Sequence, residues 1–155
     1  MTPLGPATTP RYCLFDQSAR TWVPNRPKHI VLCGSSRFIE VMAICGWHLE
    51  RDERAIVSGL HLLPGWYTDV PHHIAEAEGV AESMDALHLQ KIDEADEIFV
   101  VNVDHYVGKS TEREVRHAMD QHKPVRWYTD DPVGHRVADL IRAALAKHIG
   151  SDTTA

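Results

Sequence analysis

Apolar and polar positions recur along this chain in two periods, and the points where one period yields to the other mark its elements. Residues 98–103 form a nearly continuous apolar run rich in β-branched side chains, the pattern of a strand buried on both faces of a parallel sheet. Residues 29–33, HIVLC, read the same way, residues 55–58 give a further strand that can extend to 63, and 123–128 a last one. Pro124 stands at the start of that last strand, where proline is tolerated. Between the strands the period changes to that of a helix. Phe38, Val41, Met42, Cys45 and Leu49 recur at helical spacing, and residues 74–92 read as one helix. On that helix Met84, Leu87, His88 and Lys91 share one side, and Glu76, Glu78 and Glu82 form the solvated one. Val115, Ala118 and Met119 are the apolar stripe of the next helix, and Val137, Leu140, Ile141, Ala144 and Leu145 that of the last.

The resulting order β-α-β-α-β-α-β-α predicts an α/β protein with a single doubly wound, flavodoxin-like parallel sheet of four to five strands and helices on both faces. This domain spans residues 28–149. A Pro-rich extension, 1–27, precedes it, with residues 1–10 expected to be disordered and β-prone pieces at 12–15 and 21–23 spaced for a small hairpin. A polar tail, 150–155, follows. In a flavodoxin-like winding the first and third strands flank the topological switch point, so the loops at 34–37 and 102–111 are expected to face one crevice.

Composition narrows the classes of function. At 155 residues, with 43% hydrophobic and 25% charged content, the chain is an ordinary globular domain. Its formal charge of −6 argues against binding polymeric nucleic acid but leaves room for a small phosphorylated ligand. No stretch approaches the roughly 20 apolar residues of a membrane helix, and prolines occupy the place of a signal peptide's apolar core. Cys13, Cys33 and Cys45 match no zinc motif or disulfide framework, so a reducing, cytoplasmic setting is expected.

Candidate chemistry gathers on the two crevice loops. Gly34, Ser35 and Ser36 let backbone N–H groups face an anion at a helix amino terminus, and Arg37 is placed to clamp a phosphate; the plainer alternative is that a serine only caps the helix and Arg37 is solvated. Asp104, Gly108, Lys109, Ser110 and Thr111 make a polar connection after the third strand, with Glu114 three positions beyond Thr111. That spacing is also an S/T-x-x-E capping box, in which Glu114 would fold back onto the Thr111 amide. The long connection at 64–73 holds Trp66 and Tyr67, which either stack on a planar base or cover a sheet edge or subunit contact. His72 and His73 are adjacent, point apart and have no third partner in the pattern, so no metal site is expected.

The segments VLCGSSRF, LHLQKIDEADEIFVVN, GKSTEREVRHA and KPV, taken in order within residues 30–128, resemble the nucleoside 2-deoxyribosyltransferase-like superfamily, which includes nucleotide N-glycoside hydrolases. In that family a glutamate at the start of the helix after the third strand attacks the anomeric carbon, giving a covalent glycosyl-enzyme; the matching position is Glu114. The resemblance implies an N-glycosidic-bond hydrolase or transferase acting on a nucleoside or nucleoside 5′-monophosphate. Asp104 would hold sugar hydroxyls, Ser110 and the Gly108 backbone a 5′-phosphate. It also implies a homo-oligomer, with no metal or redox cofactor needed. One departure is plain: where the deoxyribosyltransferases carry an aspartate on the preceding helix, this chain has His88. Histidine can protonate a leaving base or bind phosphate, or be a hydrogen-bonded residue on a buried helix face. The rival reading, of another class, is a nucleotide-binding or sensing module without turnover. A flavin site is weaker still, because the loop lacks the required Ser/Thr series.

Overall fold

The computed structural model describes residues 12–61 and 63–152; the expected disorder of residues 1–10 lies outside them, as do residues 153–155 of the expected tail. Four parallel strands, β3 (His29–Gly34), β4 (Ile56–Ser58), β5 (Glu97–Val101) and β6 (Val125–Trp127), hydrogen-bond in the order β4-β3-β5-β6. The first and third strands of the sheet are therefore neighbours, with Ile30 opposite Glu97 and Gly34 opposite Val101. Strands β1 (Cys13–Asp16) and β2 (Thr21–Pro24) form a separate antiparallel hairpin outside this sheet.

The apolar runs of β3 and β5 fill two cores, because successive side chains of a strand point to opposite faces. Ile30, Leu32, Phe99 and Val101 pack with Met42, Cys45 and Leu49 of α1 (Ile39–Glu53) and Val133 and Val137 of α5 (Pro132–Asp152). Val31, Cys33, Ile98 and Val100 pack with Ile92 of α3 (Ala81–Glu94) and Val115 and Ala118 of α4 (Lys109–Asp120). Helices thus cover both faces. Each large aliphatic or aromatic side chain fully buried here contributes on the order of 1.5–3 kcal/mol.

Polar anchors fix the margins of these layers. Arg126 of β6 donates to Glu53 at the end of α1, Glu97 at the start of β5 and Asp131 before α5, all at 2.8–3.2 Å. Arg26, ahead of the sheet, forms a bidentate pair with Asp96 at 2.8 Å, and the same carboxylate accepts from the His29 amide at 2.7 Å.

Several elements differ from the pattern's expectation. Residues 74–92 are two helices, α2 (Ile74–Ala77) and α3, separated where Gly79 adopts φ +72°, a conformation that ends a right-handed helix. Strand β4 stops at Ser58, and residues 59–61 and 63 lie outside it. Met119 is 56% and Leu145 57% exposed, and Leu140 and Ala144 are exposed too, so of the expected stripe of the last helix only Val137 and Ile141 pack on the core. Helix α5 continues to Asp152, past the expected domain end at 149.

Candidate functional site

The carboxyl end of β3, the chain leaving β4 and the start of α4 border a cavity of about 520 Å³, within the range usual for small-ligand sites. At the end of β3, a Cβ on Gly34 would stand 2.9 Å from the Val101 carbonyl oxygen. Only glycine lets β3 and β5 lie this close where the first crevice loop leaves the sheet. Ser35 then accepts from the Arg37 amide at 3.4 Å, capping a short 3₁₀ turn, Ser36–Phe38. The capping alternative is thus realised at Ser35, while Gly34, Ser35 and Ser36 also line the cavity.

Across the crevice, α4 begins at Lys109 with Gly108 as its N-cap and has no side-chain cap. Thr111 is already inside the helix and buried, so the capping box is not formed. Glu114, one turn further on, is left to face inward. Its side chain is 13% exposed, and Oε2 lies 3.6 Å from Nε2 of His88, which is itself 3% exposed. Cys33 Sγ is 3.7 Å from the same nitrogen. The three donor atoms all lie within 4.8 Å of one another. Burial pushes the Cys33 thiol well above its ordinary pKa, and the Glu114 carboxylate adds to the effect. His88 Nδ1 and Glu114 Oε2 are the buried side-chain polar atoms without a hydrogen-bond partner among the described residues.

The remaining wall has three characters, one of them a set of exposed carboxylates, Glu76, Glu78 and Asp85. Met84 and Leu87 of α3 are 47% and 44% exposed because they face this cavity, together with Ile39, Leu60 and Leu63. Gly108, Lys109, Ser110 and Thr111 give a polar end at the start of α4. Lys91 donates to the Gly59 carbonyl at 2.8 Å, tying α3 to the chain leaving β4, and lines the wall with His61.

Of the residues singled out in the sequence, Glu114, His88, Gly34, Ser35, Ser36, Gly108, Ser110 and Thr111 meet at this cavity. Arg37, Asp104, Trp66 and Tyr67 are not among its walls. Arg37 lies over the Tyr106 ring at 4.0 Å and donates to its hydroxyl, linking the two crevice loops. Asp104 is exposed in a left-handed backbone conformation, φ 53°. Trp66 and Tyr67 are 86% and 64% exposed and pack edge-to-face on each other. The long loop reaches the cavity instead through Pro71 and His72. Cys33 and His61 were missed by sequence reasoning. His61 was hidden inside an overlong strand; Cys33 read as strand interior, and its partner lies 55 residues away on another element. Compared with family models, curated proteins and solved structures, the chain matches none of them.

Proposed function

We propose that this protein cleaves or exchanges the N-glycosidic bond of a nucleoside or nucleoside 5′-monophosphate, with Glu114 as nucleophile. The observation that carries this reading is the placement of Glu114. Its carboxylate caps no helix and lines a cavity between the carboxyl end of β3 and the start of α4, on the side of the sheet where open α/β proteins bind ligands. The strand order and the two-sided helix cover support a flavodoxin-like winding.

In the proposed reaction the Glu114 oxygen bonds to the anomeric carbon as the bond from that carbon to the base nitrogen breaks. The departing base takes up a proton; water or a second base then attacks the same carbon and restores the carboxylate. His88, with Nε2 3.6 Å from Glu114 Oε2, is the proposed carrier of the proton to the departing base; its burial makes it a poor phosphate ligand. The base would lie against Met84 and Leu87, and a 5′-phosphate against Gly108, Ser110 and the amino terminus of α4. Asp104 and Arg37 are assigned no contact within one chain. A homo-oligomer in a reducing, cytoplasmic setting completes the proposal, in keeping with Cys33 and Cys45 as buried free thiols.

Chromatography of the protein incubated with ribo- and deoxyribonucleosides and their 5′-monophosphates tests the assignment. Wild type should release base, and Glu114→Gln, with unchanged circular dichroism, should lose release by about a hundredfold or more. Full activity in that variant would sink it. Thermal stabilisation by a nucleotide with no base released, even when acceptor bases are added, would establish a binding module instead.

A further inference from the structure

We propose that Cys33, His88 and Glu114 form a binding site for one divalent cation of the zinc class. The three side chains come from β3, α3 and α4, and the packing of those elements brings their donor atoms together. At 3.6 Å, the gap between His88 Nε2 and Glu114 Oε2 is too long for a hydrogen bond. It is close to what a shared cation requires. Sulfur at about 2.3 Å and nitrogen or oxygen at about 2.0 Å from zinc, at tetrahedral angles, stand roughly 3.3–3.6 Å apart. The separations of 3.6 and 3.7 Å are at or a little beyond that range, and the Cys33 to Glu114 side, within 4.8 Å, closes as the cation binds.

The same gap leaves a buried polar atom unpaired. Glu114 Oε2 is buried and has no hydrogen-bond partner among the described residues, a costly state that folded proteins rarely leave uncompensated. A cation between it and His88 supplies the missing partner. With its proton on Nδ1, the imidazole offers a lone pair at Nε2, and the thiol proton passes to solvent as the thiolate binds. Thiolate and carboxylate together balance the charge of a dication.

The donor set also selects the ion. Magnesium and calcium take oxygen ligands, whereas sulfur, nitrogen and oxygen together suit zinc and cobalt. Because His88 and Glu114 line the cavity, a fourth coordination position would open into it, as in zinc sites with three protein ligands. This site goes beyond the nucleophile assignment and does not depend on it. A carboxylate that holds the cation cannot attack an anomeric carbon, so zinc would inhibit base release.

Cobalt titration of the chelator-treated full chain tests the proposal without any activity measurement. One equivalent of Co²⁺ should give the visible bands of four-coordinate cobalt and a near-ultraviolet thiolate-to-cobalt band, both displaced by zinc and unaffected by excess magnesium. Cys33→Ser, a nearly isosteric change, should lose the thiolate band. Glu114→Gln should lose or greatly weaken binding, and His72→Gln, at another cavity histidine, should leave the spectrum unchanged. Absence of the thiolate band from wild type, its survival in Cys33→Ser, or its loss in His72→Gln would each overturn the assignment.

Discussion

At the scale of single residues, the closest backbone approach concerns Gly134. A Cβ there would stand 1.8 Å from the carbonyl oxygen of Tyr128 and 2.6 Å from its carbon, and neither backbone atom can swing aside. Gly134→Ala should therefore push α5 off β6 and destabilise the fold by about 3 kcal/mol, the upper part of the range for overpacking. Gly65→Ala, where the new methyl meets nothing within 4 Å, should change stability by less than about 0.5 kcal/mol. Urea denaturation of both variants checks the pair, and equal stabilities would show that the α5 contact is looser in solution. No sequence pattern announces this contact, because its partner is a carbonyl rather than a side chain. The same limit applies in the site. Glu114 was legible from its position after an apolar strand, but whether it capped its helix depended on where α4 begins, and the start at Lys109 decided it.

At the scale of elements, the long periodic stretches were legible because each buries one continuous stripe or face. The short ones were not. Residues 74–92 carry a helical period throughout, yet the left-handed turn at Gly79 divides them, and the pattern of apolar positions contains no mark of that break. The side of α3 bearing Met84, Leu87, His88 and Lys91 was legible as a stripe, although periodicity cannot say that all four line a cavity. Arg126 binds elements in a way no local pattern records. Burial disfavours its charge, and the carboxylates of Glu53, Asp131 and Glu97 outweigh that cost, holding its pKa above the ordinary value. Arg126→Met would leave Glu53 of α1, Glu97 of β5 and Asp131 ahead of α5 without their shared cation, with only Glu97 keeping another, Lys28 at 3.3 Å. The expected loss is about 3 kcal/mol, the lower end for breaking a buried ion pair, because Glu53 retains access to water. Lysine at the same position should recover only part of it, since one ammonium cannot match the planar fork. A loss below about 1 kcal/mol in urea unfolding would reduce this cluster to the level of surface pairs.

At the scale of the whole molecule, the parallel pairing followed from the alternation of elements, because parallel neighbours require helical crossovers, whereas alternation is common to several strand orders. What the chain order could not give was how the segment before the first sheet strand is fastened to the rest. That fastening is the pair of Arg26 with Asp96, 70 positions apart, and it makes stability depend on pH. Burial by itself would raise the Asp96 carboxyl; the Arg26 pair and the His29 amide outweigh it and hold the pKa below the ordinary aspartate value. Asp131 behaves alike, with burial opposed by Arg126 and the Val133 amide. A carboxyl whose pKa is lower folded than unfolded contributes stability that is fully present above the unfolded value of about 3.9 and is lost as pH falls through the folded one. Unfolding free energy should accordingly decline as pH is taken from about 5 toward 3. Arg26→Met removes the cation from Asp96 and leaves Asp131 untouched, so its decline over the same window should be shallower than that of wild type, from a lower starting stability. Parallel curves for the two proteins would mean that Arg26 leaves Asp96 in solution, and that the segment before β3 is held by its other contacts, among them Lys28 with Glu97 at 3.3 Å.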